Sequence, residues 1–222
     1  MSPINEQISA LVSGIQILSE LFWGPDLQKC REIVAGTYFQ PFATLKDVLK
    51  FHPPDMLQII ESELKNFSDA DSLFQYLEPE YVRLFISNRD RITASLYESC
   101  YVGVESGETA SLMGEPAIMM NKRLQSSGLS IGDGISEPPD HISIELEYLY
   151  YLLEKGWTEG RPALFNEAVS FAANTMFPWV SKFRERLAGE SKCRFYFFAA
   201  SIVTASLGFI SEFDKMGSRK KD

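Results

Sequence analysis

The sequence predicts an all-α protein, on three observations. Apolar residues recur at helical spacing along most of the chain, no convincing set of alternating strands accompanies them, and no fixed-period repeat points to a helical solenoid. With 222 residues, 45% of them hydrophobic, the chain has enough apolar surface for a substantial buried core.

The elements follow in order. Ile8, Leu11, Ile15, Leu18 and Phe22 predict an amphipathic helix over 5–23, with Asn5 as N-cap and Gly24 as stop. Further helices are predicted at 26–35, ending at Gly36, at 44–51, ending before Pro53-Pro54, and at 55–67, with Met56, Ile59, Ile60 and Leu64 inward. The stretch "DADSLFQYLEPEYVRLFIS" carries Phe74, Leu77, Tyr81, Leu84 and Phe85 on one stripe. Pro79 predicts a break there into a kinked pair, because the residue before a proline is pushed out of helical geometry. Over 92–112 β-branched and aromatic residues show no sustained alternation, so helix, strand and loop all stay open. A helix at 115–126 ends near Gly128, and "SSGLSIGDGISEPPD" concentrates the Gly, Ser, Asp and Pro of a loop. Helices are then predicted at 140–155, at 162–175, from a break at Pro178 to 188, and at 193–213.

Composition narrows the function. The formal charge of −9 and a pI near 4.9 disfavour a non-specific nucleic-acid binder, which needs clustered Lys and Arg to displace counterions. Cys30, Cys100 and Cys193 stand far apart in no CxxC arrangement, which points away from a disulfide framework or a zinc cluster and towards a reducing compartment. No Lys or Arg precedes Lys29, so the charged n-region of a secretory signal is not present. The run "FYFFAASIVTASLGFI" falls short of the roughly 20 residues that span a bilayer and is interrupted by Ser and Thr. It reads as a buried core helix, without stable membrane insertion, followed by a frayed basic tail "KMGSRKKD".

The residues with chemical potential gather at "SEPPDHISIELEYLYYLLEKG". Asp140 is expected to cap the helix that follows, worth on the order of 1 kcal/mol. Ile142, Leu146, Leu149 and Leu153 point one face of that helix at the core, with His141 beside it and partly exposed. Neighbouring residues on a helix diverge by about 100 degrees, so Asp140 is poorly placed to orient His141 in a triad. The second histidine is His52, and neither HExxH nor paired-cysteine spacing exists. Glu145, four residues on, is expected to make a modest helix contact with His141. "GDG" at 132–134 is no phosphate loop, since GxxxxGK[S/T] is absent.

Charge distribution says more. No Lys or Arg lies between Arg91 and Lys122 or between Arg123 and Lys155. Glu98, Glu105, Glu108 and Glu115 fall in the first zone, and Asp133, Glu137, Asp140, Glu145, Glu147 and Glu154 in the second. Such runs are usually solvated faces. Brought together, the two zones would form a negative groove for Arg or Lys side chains.

Two short motifs carry a resemblance. "YVRLF" at 81–85 matches a YxxLF pattern and "EPPDH" at 137–141 an ExPDH pattern downstream, with "LYESCYVG" and "LMGEPAIMMNKRLQSSGL" between them. Together they resemble the TorD/DmsD family of cytoplasmic redox-enzyme maturation chaperones, over residues 74 to 155. The resemblance implies a TorD-like helical bundle: a larger N-terminal part over 1–127, a hinge loop over 128–139 and a smaller C-terminal part over 140–222, packed separately or as one globular domain. It implies a monomer or a domain-swapped dimer. The implied role is non-enzymatic and cytoplasmic: binding the twin-arginine signal peptide on the apo-form of a molybdopterin-type oxidoreductase subunit, and holding it until the cofactor is inserted. By the same analogy Tyr81, Leu84, Phe85, Glu137, Pro138, Asp140 and His141 line or shape the peptide site. For Tyr81, Leu84 and Phe85, spacing of i, i+3, i+4 fits plain core packing equally. No cofactor of its own is implied. Guanine nucleotide enters by family analogy only, and without a P-loop no residue here is assigned to it. Two readings from other classes compete: a helical enzyme using His141 with Glu145 or Asp140, and a helical subunit of a larger complex.

Overall fold

A computed structural model describes residues 3–49, 56–86, 92–102, 113–190 and 194–218, with backbone alone for residues 3, 4 and 214–218. Among them ten α-helices follow in order: α1 Pro3–Leu21, α2 Leu27–Val34, α3 Gln40–Leu45, α4 Met56–Leu64, α5 Ala70–Tyr81, α6 Glu115–Ser126, α7 Ile142–Leu153, α8 Pro162–Phe171, α9 Phe177–Ala188 and α10 Phe195–Ser218. Extended pairing among the described residues is confined to one isolated antiparallel bridge, Tyr97 with His141. The all-α expectation holds.

The core is built as the periodicity predicts. Ile8, Leu11, Ile15, Leu18 and Phe22 of the first stripe are all buried, as are Ile142, Leu146, Leu149 and Leu153 of α7. Helix α1 lies along α7 and also reaches α3 and α10, so the N-terminal stripe packs on residues from the C-terminal half. Burying side chains of this size is worth about 1.5–3 kcal/mol each before entropy is counted.

Several boundaries differ from expectation. Helix α1 begins at Pro3, so Asn5 lies inside it instead of capping it. The helix expected at 44–51 sits earlier, at Gln40–Leu45, started by Pro41 at a first-turn position where its missing N–H costs nothing. Residues 46–49 then form turns, while Pro53-Pro54 and His52 lie outside the described residues. Pro79 does not break α5 but is accommodated within it. Gln75 and Pro79 are both exposed, so the carbonyl that proline leaves without its i+4 donor lies on the water-facing side. The chain then widens into a π turn, Val82–Ile86. Nor is there a break at Pro178. It occupies the first turn of α9, entered from α8 through a π turn at Ala172–Met176.

Of the open segment 92–112, residues 92–102 form an irregular strip with a 3₁₀ turn at Glu98–Cys100, and 103–112 lie outside the described residues. The apolar stretch Phe195–Phe213 of α10 is long and apolar enough to cross a membrane, but 67% of its most apolar window is buried within the protein. That is the geometry of a core helix.

Candidate functional site

The strip that periodicity left unassigned joins the two motifs. Its Ala94 N–H donates to the Leu84 carbonyl at 3.2 Å, in the π turn that ends the first motif. Its far end pairs with the second motif: Ile142 N–H donates to the Leu96 carbonyl (2.8 Å) and Glu98 N–H to the Asp140 carbonyl (3.0 Å). Asp140 then uses its side chain on the same strip, Oδ2 accepting from Ser99 N–H at 2.9 Å. A backbone that has no partner in its own element is thereby satisfied across the junction.

Asp140 is therefore not the cap of α7, as expected; it is fully buried and its carboxylate faces the strip. The cap is His141, whose Nδ1 accepts from Ser143 N–H at 3.2 Å. The displacement by one residue follows from the Tyr97–His141 bridge, which holds His141 extended (φ −70°, ψ 137°) and lets the helix start only at Ile142. His141 is also 2% exposed and not partly open as expected. Trp23, just beyond α1, stacks on its ring at 4.7 Å and Tyr97 meets it edge-on at 5.4 Å. Burial pushes the imidazole down to about 4, so at neutral pH it is an uncharged acceptor.

Glu145 differs most from expectation. Instead of pairing with His141 on a surface, it is fully buried, with Oε2 accepting from the Trp179 indole N–H at 3.0 Å. Its other side faces the carboxyl of Glu98, and burial with that neighbour raises Glu145 well above the carboxylate range. Glu98 is raised too, by burial, against the opposing pull of Arg123.

The first motif lies beneath this junction. Leu84 and Phe85 are buried, Phe85 against Phe22, Tyr81, Phe183 and Tyr196. Tyr81 is half-buried and its hydroxyl donates to the Phe22 carbonyl at 2.9 Å. Its ring covers Gly24, where φ is +98° and a Cβ would sit 3.3 Å from Cε1, so both backbone and space call for glycine. Glu137 and Pro138 are half-buried at the surface, with Glu137 accepting from the Tyr97 hydroxyl.

Beside the junction a cleft of about 180 Å³ opens between the 129–135 loop and α7. Leu129, Ile131, Ile135, Ile144 and Tyr151 give it apolar walls, and Glu147 stands in its lining. The Glu147 carboxylate accepts from Trp23 Nε1 at 3.0 Å, so the cleft adjoins the Trp23–His141 stack. Motif matching missed Trp23, Tyr97, Trp179 and the cleft. Glu98, Glu145 and Glu147 were visible as members of the base-free acidic zones, but nothing in the spacing separated the buried pair from exposed Glu147. Among the described residues no three His, Cys, Asp or Glu side chains are grouped to hold a metal.

A family model described as nitrate reductase delta subunit matches residues 43–185. The chain belongs to that family. It is the family of the TorD chaperones, a family of chaperones and not of enzymes. This chain is similar to "Chaperone protein TorD" of Vibrio parahaemolyticus, 25% identical over 146 residues, covering 64% of this chain and 66% of that one, just under two thirds of its length. The TorD proteins of Photobacterium profundum and Shewanella piezotolerans are each 24% identical, covering 84% and 92% of this chain and 89% and 90% of theirs. A solved structure described as a candidate redox enzyme maturation protein of Archaeoglobus fulgidus matches with a TM-score of 0.49 and 22% identity, over 90% of this chain and 93% of that one.

Proposed function

We propose that this TorD-family protein is a cytoplasmic maturation chaperone that binds the twin-arginine signal peptide of a molybdopterin-type oxidoreductase subunit and holds the apo-subunit until its cofactor is in place. The observation that carries this reading is the cleft between the 129–135 loop and α7, apolar-walled with a carboxylate in its lining. A signal peptide presents an arginine pair followed by an apolar stretch. Its side chains complement such a cleft, with Glu147 and the half-buried Glu137 available to guanidinium groups. In this reading Tyr81, Leu84, Phe85, Glu137, Pro138, Asp140 and His141 line or shape the peptide site beside the cleft, whose own lining contains none of the seven. His141, neutral and already accepting from Ser143 N–H, acts by hydrogen bonding and stacking, not as a catalyst. The 128–139 loop serves as the hinge between the two helical parts, in a monomer or a domain-swapped dimer.

Titration calorimetry with a synthetic twin-arginine signal peptide tests the reading. Saturable binding is expected, weakened when the arginine pair is replaced by alanine and when Asp140 or His141 is changed to Ala. No saturable binding to the signal peptide of any molybdoenzyme encoded beside this protein, or binding indifferent to all these changes, sinks it.

A further inference from the structure

We infer that Glu98 and Glu145 share one proton between their buried carboxyls, and that this proton seats the 94–99 strip against Asp140 and His141, making the two glutamates the positioning pair of the corner.

The geometry leaves a buried acceptor without a donor: neither of the nearby buried hydroxyls, Ser99 and Ser143, bonds to it. Glu145 is fully buried, and while its Oε2 takes the Trp179 indole N–H, its Oε1 has no hydrogen-bond donor. The group it faces is the carboxyl of Glu98, itself 6% exposed. Two carboxylates in contact inside a core repel and lose their hydration, and an unsatisfied buried acceptor is costly. One proton removes both penalties, because a protonated carboxyl donates to its neighbour.

The surrounding charges indicate which side holds it. Arg123 from α6 favours ionised Glu98, whereas the charges acting on Glu145 among the described residues are those of Glu98 and Asp140, and Asp140 disfavours charge on both. The proton therefore resides mainly on Glu145 and is donated to Glu98, although the two titrate as one system. Glu98 opens the 3₁₀ turn whose N–H groups reach Asp140, so a bond from α7 to Glu98 fixes the turn that orients Asp140.

The sign of the linkage follows. A carboxyl raised on folding binds its proton more tightly in the native state. Its stabilising effect is therefore complete below the ordinary carboxylate range and is lost as pH rises through the raised value. Above that point a second negative charge appears beside Asp140 and the strip loosens.

The idea that this positions a recognition surface rests on the proposed peptide binding, but its test does not. Infrared spectra of the full chain at neutral pH should retain a carboxylic-acid C=O band when exposed carboxyls are ionised; Glu145→Gln should remove it, and Glu98→Gln, which changes the acceptor of its proton, should shift it. In hydrogen exchange, the Ser99 and Ile142 amides of the unaltered protein should lose protection about tenfold per pH unit above the pair's titration, beyond the intrinsic base-catalysed rise. Glu145→Gln, whose amide still donates to Glu98 but has no proton to lose, should abolish that extra loss. Should Glu145→Gln fold poorly, Glu98→Gln, which takes the partner's charge away from Glu145, should change the pH at which that extra loss sets in. A band absent from the unaltered protein, or untouched by both substitutions, overturns the shared proton; identical amide protection across pH in variant and unaltered protein overturns the positioning role. A peptide-binding failure in calorimetry would leave both readouts intact.

Discussion

At the scale of single residues, His141 carries the clearest consequence. Its imidazole, stacked on Trp23, serves as a helix cap only when Nδ1 is unprotonated, and burial holds it at about 4 against an ordinary 6.5. The unfolded chain therefore takes up a proton before the native one as pH falls. The stabilisation is present above pH 6.5 and is lost down to about pH 4, amounting to on the order of 3 kcal/mol. Urea unfolding across that range should show this loss, and His141→Asn, which can cap through its side-chain oxygen but cannot titrate, should have a slope smaller by about one proton. An unchanged slope would show that the imidazole titrates normally. This residue also marks where sequence reading stops. The helix after "EPPDH" is legible from Ile142, Leu146, Leu149 and Leu153, but the sequence points to a cap one residue early, because the bridge to Tyr97 comes from a strip 44 positions upstream.

Among the described glycines, the closest backbone approach is at Gly156, where α8 meets the π turn Glu154–Thr158 that follows α7. A Cβ on Gly156 would lie 2.5 Å from the Phe165 backbone nitrogen and 2.7 Å from its Cα, where a helix backbone cannot yield as a side chain would. Gly156→Ala should therefore destabilise the protein by about 1–3 kcal/mol or more, read as a lower urea midpoint. A midpoint within error of the unaltered protein would mean that α8 moves freely. Helical spacing identified nearly every helix, since each buries one stripe. It missed the π turns at 82–86, 154–158 and 172–176, where one residue too many passes per turn and no local composition marks the change. Pro79 and Pro178 invited breaks for the same reason: a proline's tolerance depends on which side faces water and how near a helix start it falls, and both are tertiary facts.

For the whole molecule, the net charge of −9 sets the long-range field, and the acidic side chains near the cleft direct part of it to the proposed peptide site. Signal-peptide affinity should fall as salt is raised from low to several-fold physiological strength, with the change mainly in association rate. Affinity flat with salt would mean that the apolar stretch of the peptide alone is read. The family was legible in two motifs, yet the candidate site only in part. Leu84, Glu137, Asp140 and His141 each bond to or pair with the 94–99 strip, but none of the seven expected residues lines the cleft, and Trp23 reaches the corner from the end of α1 and Trp179 from α9, at sequence distances no motif spans.

The corner assembled from Trp23, the 94–99 strip, Asp140 to Glu147 and Trp179 has a consequence for how the protein comes into being. Its contacts close loops of 34 to 124 residues, so they form late, after the local helices and once most of the chain has been synthesised. A ribosome-bound or truncated chain without α9 lacks Trp179, and so leaves Glu145 without its indole donor. A protein whose proposed task is to hold another unfinished chain thus assembles its own proposed gripping corner only once its chain has been made through Trp179.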